Sequence, residues 1–151
     1  MSLTSEGEAR EQIRDLVARY NAYGDSGRFE DLLRLFAPDA QLTVGSERYI
    51  GRDAIEAMFR DAASSARSIA VTRVRHFVAT HQIDLVDEGH ARGRCYFQVL
   101  TDRGLDHWGR YLDDYAADAG GWRFAIRTVE VEGAVPGGWG AAHLASRLAS
   151  A

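Results

Sequence analysis

The sequence predicts a single α+β domain in which helices come first and a curved β-sheet follows. Before Ser68, apolar residues recur with the spacing of amphipathic helices, and from Ser68 onward β-branched residues alternate with period two. Turn signals interrupt the second half at 87–89, 102–104 and 119–121, so the strands follow one another and should pair antiparallel. Helices that gather on one side of such a sheet define the α+β class.

Two helices are predicted at the start of the chain. The first begins at the capping box formed by Ser5 and Glu8 and ends near Gly24, because glycine favours a helix end. Asp25 or Ser26 can then cap the second helix, since both residue types are preferred at that position. The apolar stripe of the second helix ends before Pro38 and consists of Phe29, Leu32, Leu33 and Phe36.

A small hairpin, a third helix and four long strands complete the predicted fold. The hairpin pairs 41–44 with 48–50, and the third helix follows Gly51 and loosens at 64–65. The long strands are 69–86 with a break near Thr80, 91–101, 105–115 and 122–132. This is more sheet than three helices can cover on both faces, so one face must curl around the helices.

Length, composition and charge limit the possible classes of protein. A chain of 151 residues fits one domain, which we place at 1–151 with 133–151 as a C-terminal tail. The formal net charge of −4, with arginines scattered among carboxylates, predicts no nucleic-acid partner. No apolar stretch approaches the roughly 20 residues that cross a bilayer, so we expect no membrane partner. The single cysteine, Cys95, cannot form an intrachain disulfide, and we expect a cytoplasmic protein in which it is a small buried residue.

His76 and Asp25 are the leading candidates for chemistry. Period two along 71–79 places His76 on the apolar, inward face with Val74 and Val78. A lone histidine there is more often a structural residue bonded to the backbone, and Asp25 alone reads as a helix cap. The two become informative together, because the helical junction at Asp25 should pack over the mouth of the sheet that carries His76.

Six short motifs occur in a characteristic order along nearly the whole chain, at 20–25, 32–40, 51–55, 75–78, 109–115 and 121–124. Their order and spacing resemble the SnoaL-like group of the nuclear transport factor 2-like superfamily. The resemblance implies a cone-shaped, curved mixed β-sheet, an α+β barrel, packed on three N-terminal helices around a deep apolar pocket. Asp25 and His76 fall on the acid–base pair of the group's eliminating enzymes, scytalone dehydratase and hexachlorocyclohexane dehydrochlorinase.

The roles that this resemblance implies are physically reasonable. A neutral His76 imidazole can remove a proton from carbon, while the Asp25 carboxylate sets its tautomer and stabilises the imidazolium. No cofactor and no metal are implied, and no pair of histidines has metal-ligand spacing with a carboxylate partner. Gly24 stands where the dehydratase has a tyrosine, and Tyr20 stands where the dehydrochlorinase has a lysine. These departures argue against scytalone and against a chlorinated substrate.

Further side chains are expected around the pocket. Tyr20 is either a core aromatic or a pocket hydroxyl, in which case it is a candidate acid. His107 and Trp108 point to opposite faces, so at most one of them joins His76. Tyr111 belongs to a polar row that faces either a polar pocket or solvent. The expected substrate-binding residues are Tyr23, Phe36, Phe59, Val78, His107 and Tyr111.

The favoured function is a lyase or isomerase acting on a small apolar, oxygenated ligand by dehydration or double-bond migration. The alternatives are a non-catalytic small-molecule-binding protein, a subunit similar to the small subunit of aromatic-ring dioxygenases, and a polyketide-type cyclase. The paired acid and base favour an enzyme over a purely structural subunit. Exposed sheet in this fold commonly becomes an interface, so we expect a homodimer or homotrimer.

Overall fold

The computed structural model describes residues 3–144, and three helices and six strands lie between residues 3 and 134. The elements are α1 (Leu3–Asp25), α2 (Phe29–Leu33), β1 (Phe36–Val44), β2 (Glu47–Ile50), α3 (Arg52–Ser68), β3 (Val74–Leu85), β4 (His90–Thr101), β5 (Gly104–Asp118) and β6 (Gly121–Ala134). Part of the predicted tail, 145–151, lies outside the described residues. The described part turns after β6 and becomes helical at 141–144.

The six strands form one curved, unclosed mixed sheet in the order β2-β1-β6-β5-β4-β3. The four long strands β3 to β6 pair antiparallel with their sequence neighbours, as predicted. β1 lies parallel to β6, and β2, α3 and the strands β3 to β5 separate the two along the chain. The predicted α+β class is therefore confirmed, and the sheet ends at the open edges β2 and β3 rather than closing into a barrel.

The end of α1 differs from the prediction in a way that matters for the site. α1 continues through Gly24 to Asp25, and Arg28, not Asp25 or Ser26, precedes α2 without a side-chain capping bond. The glycine with the positive φ, 69°, is Gly27. Ser26 Oγ donates to a carbonyl of α1. Asp25 is thus not a cap of α2, because its carboxylate is bound elsewhere.

Tertiary packing also moves other predicted boundaries. α2 ends at Leu33, and Phe36 begins β1, whose pairing with β6 is irregular between Phe36 and Gln41. Pro38, which cannot donate to a strand partner, lies within that irregular stretch. α3 runs past 64–65 because Ala66 is buried. β3 begins at residue 74 instead of 69.

The core lies between α1 and the concave face of the sheet. From α1 it receives Ile13, Leu16, Val17 and Tyr20, and from the sheet it receives Phe36, Leu42, Cys95, Phe97, Val99, Tyr111, Tyr115, Phe124 and Val131. Burial raises the pKa of the Cys95 thiol to about 11, so Cys95 is a buried, unreactive residue as predicted. None of the helices in 3–144 is long and apolar enough to span a membrane.

Candidate functional site

A cavity of about 460 Å³ opens between α1, α3 and the concave face of the sheet. Its volume is in the range of small-molecule sites. α1 contributes its last turn and a half, α3 contributes Met58 and Phe59, and the inward residues of β3 to β6 form the sheet wall. Trp139 and His143 of the tail complete the lining, so the described part of the tail closes one side of the cavity.

Asp25 and His76 meet at this cavity. His76 Nδ1 lies 2.6 Å from Asp25 Oδ1, and the His76 backbone N–H donates to Asp25 Oδ2 at 2.9 Å. The Asp25 side chain is 9% exposed and that of His76 is 21% exposed. The two bonds fix both carboxylate oxygens against the start of β3. Because a carboxylate only accepts, this contact requires a proton on His76 Nδ1, and the neutral form of the ring then has its lone pair on Nε2.

A second aspartate–histidine pair lies beside the same cavity, which His107 lines and Asp106 does not. His107 Nδ1 lies 2.7 Å from Asp106 Oδ1, and the two side chains are 8% and 6% exposed. Asp106 also accepts the backbone N–H groups of Trp139 and Gly140, each at 2.8 Å. The sequence predicted that at most one of His107 and Trp108 faces the cavity. In the structure His107 lines the cavity, and Trp108 lies on the outer face of the sheet, 40% exposed.

The protonation states of Asp106 and His107 follow from their burial and their hydrogen bonds. Burial raises the pKa of Asp106, but the hydrogen bonds from Gly140, His107 and Trp139 outweigh it and leave the pKa below its usual value. Burial lowers the pKa of His107, against the opposing hydrogen bond from Asp106. Asp106 is therefore a carboxylate at neutral pH, and His107 is neutral with its proton on Nδ1.

A buried ion pair lies deeper in the core, beside the aromatic side of the cavity. Arg127 Nε and Nη2 donate to the two oxygens of Asp113, both at 2.8 Å, and both side chains have no solvent exposure. The Arg127 guanidinium carbon lies 4.1 Å from the ring centroids of Tyr20 and Tyr111. The polar row that contains Tyr111 and Asp113 therefore faces inward.

Four of the expected pocket residues besides the Asp25–His76 pair line the cavity: Tyr20, Phe59, His107 and Tyr111. Tyr20 is also a core aromatic, in edge contact with four rings, and burial raises the pKa of its phenol.

Three expected residues do not line the cavity. Tyr23 turns toward the surface, where Arg19 donates to its hydroxyl and the Arg28 guanidinium lies over its ring. Phe36 is fully buried in the core beside β6. Val78 lies further along β3 and packs against the core.

Asn21 is a cavity residue that the sequence reasoning missed. It lies one helical turn before Asp25, so the spacing of i and i+4 along α1 could have identified it. Its Oδ1 accepts the Tyr111 hydroxyl at 3.4 Å, and its buried Nδ2 has no hydrogen-bond partner among the described residues. Within 3–144, no cluster of three or more histidine, cysteine, aspartate or glutamate side chains is placed to hold a metal ion.

Solved structures share this architecture. A candidate scytalone dehydratase from Novosphingobium aromaticivorans has a TM-score of 0.78 at 19% identity, covering 89% of this chain and 91% of that chain. LinA has a TM-score of 0.75 at 19% identity, covering 91% and 96%. A Nostoc punctiforme protein described as having a cystatin-like fold has a TM-score of 0.74 at 21% identity, covering 84% and 93%. At these identities the likeness shows a common fold. No curated protein matches the sequence.

The helices on a curved sheet, with a cavity between them, define a protein of the nuclear transport factor 2-like class. The family model of the SnoaL-like domain matches residues 5–128. The chain belongs to the SnoaL-like family.

Proposed function

We propose that this protein is a cofactor-independent lyase or isomerase that removes a proton from carbon in a small apolar, oxygenated molecule. The observation that carries the proposal is the hydrogen-bonded Asp25–His76 pair at the wall of the cavity. The fold neighbour described as a candidate scytalone dehydratase is in keeping with elimination chemistry.

His76 is the general base in this proposal. Asp25 holds the Nδ1–H tautomer, so the Nε2 lone pair takes the proton from carbon. In dehydration the electron pair of the C–H bond forms the new double bond, and the imidazolium returns the proton to the departing hydroxyl, which leaves as water. In double-bond migration the imidazolium returns the proton to the γ-carbon. The imidazolium that forms remains 2.6 Å from the carboxylate, which stabilises the new charge. Positioned acid–base help of this kind is worth about 10²–10⁴-fold in rate.

Tyr20 supplies a hydroxyl to the oxygen of the substrate. Because burial raises the pKa of its phenol, the group stays protonated and donates a hydrogen bond. We therefore assign Tyr20 to binding and polarising the substrate oxygen, and we expect it to release a proton less readily than an exposed tyrosine would.

The test compares wild type with His76→Gln and Asp25→Asn. β-Hydroxy ketones that dehydrate to conjugated enones, and β,γ-unsaturated ketones that isomerise to them, give a direct ultraviolet signal. We expect turnover by wild type and a loss of about 10²–10⁴-fold in both variants. His90→Gln is the matched control, because His90 forms an exposed pair with Asp87. Equal turnover by His76→Gln and wild type would exclude His76 as the base.

A readout that needs no substrate tests the pair itself. Nitrogen-15 NMR of the histidine rings should show the His76 proton on Nδ1 in wild type. In Asp25→Asn the anionic acceptor is gone, and we expect the proton to shift toward Nε2. An unchanged tautomer would leave Asp25 with no orienting role, and a non-catalytic binding protein would become the better hypothesis.

We also propose that the protein assembles as a homodimer or homotrimer through the outer face of the sheet. Phe77, Tyr96 and Trp108 are 52%, 57% and 40% exposed on that face. Phe77 and Trp108 flank the polar Gln98 in one cross-strand row, and Tyr96 lies two residues before Gln98, so an exposed aromatic side chain lies on each of three neighbouring strands. An exposed apolar surface of this kind is typical of subunit contacts, and a second copy of the chain offers the same surface to it.

A further inference from the structure

We propose that His107, oriented by Asp106, forms a second subsite of the cavity and accepts a hydrogen bond from a hydroxyl group of the bound molecule. The inference rests on the proposed function only in taking the cavity as the place where substrate binds. It narrows the ligand from an oxygenated apolar molecule to one with a hydroxyl donor at a fixed distance from the carbon that His76 deprotonates.

The orientation of the His107 ring is fixed on several sides. Asp106 holds Nδ1 at 2.7 Å. The rings of Phe97 and Trp139 make edge contacts with the imidazole at centroid distances of 5.9 and 5.7 Å. Gly140 packs directly on the ring, since a Cβ there would lie 2.2 Å from His107 Cγ. With Nδ1 used, Nε2 is the polar atom that the ring can offer to the cavity it lines.

This subsite suits a donor rather than an acceptor or an anion. The Asp106 carboxylate requires the proton on Nδ1, so Nε2 carries the lone pair. Burial lowers the pKa of His107, which keeps the ring neutral at pH 7. Neutral imidazole nitrogen accepts a hydrogen bond from an O–H group, whereas a carbonyl oxygen or a carboxylate would find no donor there.

The two histidines are placed to act on one molecule. His76 pairs with Val99 across the sheet, and Val99 pairs with His107, so the three residues lie in one row. Two strand spacings separate the histidine backbones, which is about 10 Å. Phe97 lies between the rings, at 6.5 Å from His76 and 5.9 Å from His107. An apolar ligand that stacks on Phe97 can present a C–H to His76 and an O–H to His107.

Calorimetry with β-naphthol and its methyl ether tests the subsite. The two probes share an aromatic body, and only naphthol has a hydroxyl donor. We expect wild type to bind naphthol about three- to tenfold more tightly than the ether, the increment of one net hydrogen bond. His107→Phe should abolish this preference while retaining affinity for the ether. His76→Phe is the matched control and should retain the preference.

Several results would overturn the proposal. The proposal is wrong if wild type binds both probes equally, or if it binds neither. It is also wrong if the preference for naphthol disappears in His76→Phe but persists in His107→Phe. If circular dichroism shows that His107→Phe is unfolded, nitrogen-15 NMR of wild type decides instead. Naphthol but not the ether should then shift the His107 Nε2 signal, and no shift would refute the subsite. The calorimetry measures binding and not turnover. If the ketone assay shows no turnover, the calorimetry can therefore still confirm or refute the subsite.

Discussion

Replacing Asp113 by asparagine tests the buried ion pair beside the cavity and gives the largest stability change that we expect. Asp113 holds Arg127 with two bonds of 2.8 Å, and neither side chain is exposed. The substitution keeps the shape but leaves the guanidinium charge uncompensated among aromatic rings. Breaking a buried pair from one side costs about 3–5 kcal/mol. In a domain of this length that corresponds to a fall in Tm of about 6–20 °C.

Asp114→Asn is the matched control for this prediction. It makes the same chemical change one residue further on, where Asp114 faces solvent and pairs with Arg92 at 3.3 Å with both side chains at least half exposed. We expect the control to change the free energy of unfolding by less than about 0.5 kcal/mol. Urea unfolding followed by circular dichroism measures both variants. A cost below about 1 kcal/mol for Asp113→Asn, or equal costs for the two, would refute the reasoning.

Two further predictions concern pH and assembly. Burial lowers the pKa of His107, so below about pH 6.5 the unfolded chain binds a proton that the folded chain does not. The free energy of unfolding should therefore fall as the pH decreases through that value. His107→Gln should make the free energy of unfolding depend less on pH. Urea midpoints above and below that pH test this, with His90→Gln as the exposed control, and an unchanged slope in His107→Gln would contradict it. Light scattering should give a dimer or trimer for wild type and a smaller species for Phe77→Ser combined with Trp108→Ser. A wild type that is monomeric at all concentrations would contradict the assembly.

Features of the fold that depend on local periodicity were predictable from the sequence. The change from helical spacing to period two near Ser68 located the sheet, and period two alone placed His76 inward. The strand break near Thr80 is confirmed by a shift of register between Ala79 and Gln82 and by a φ of 54° at Thr80. The inward position of His76 follows from the alternation of the strand residues, whereas the positive φ of Thr80 is unusual for a β-branched residue.

The role of Asp25 could not be predicted from local helix-capping preferences. Its position after a glycine predicted a helix cap, which is the usual role of aspartate at such a junction. In the structure the carboxylate is bound instead by a backbone N–H and a ring nitrogen of His76, 51 residues further along the chain. Local propensity could not show that Asp25 would bind His76 rather than cap a helix, because the two residues are far apart in the sequence. The family resemblance did indicate the pairing.

Asp106 was missed for a specific geometric reason. Period two assigns neighbouring residues to opposite faces of a sheet, so Asp106 and His107 should not both point inward. The β4–β5 register shifts at this point: Val99 pairs with His107 and Leu100 pairs with Leu105, which leaves Asp106 as the extra residue of a β-bulge. Bulges redirect side chains and are common beside functional sites. Both Asp106 and His107 are consequently buried, and an alternating sequence pattern cannot predict the burial of two neighbouring residues.

His76 and His107 depend on different parts of the fold. The tautomer of His76 is set from the last residue of α1, so it requires α1 to be docked on β3. The tautomer of His107 is set by its own neighbour, Asp106, whose carboxylate also binds the backbone of Trp139 and Gly140. Displacing α1 would therefore disable the proposed base and leave the hydroxyl subsite intact, whereas displacing the tail would open the cavity beside His107 and leave the Asp25–His76 pair in place. The proposed proton abstraction and the proposed hydroxyl recognition should thus be separable, although the two sites share one cavity.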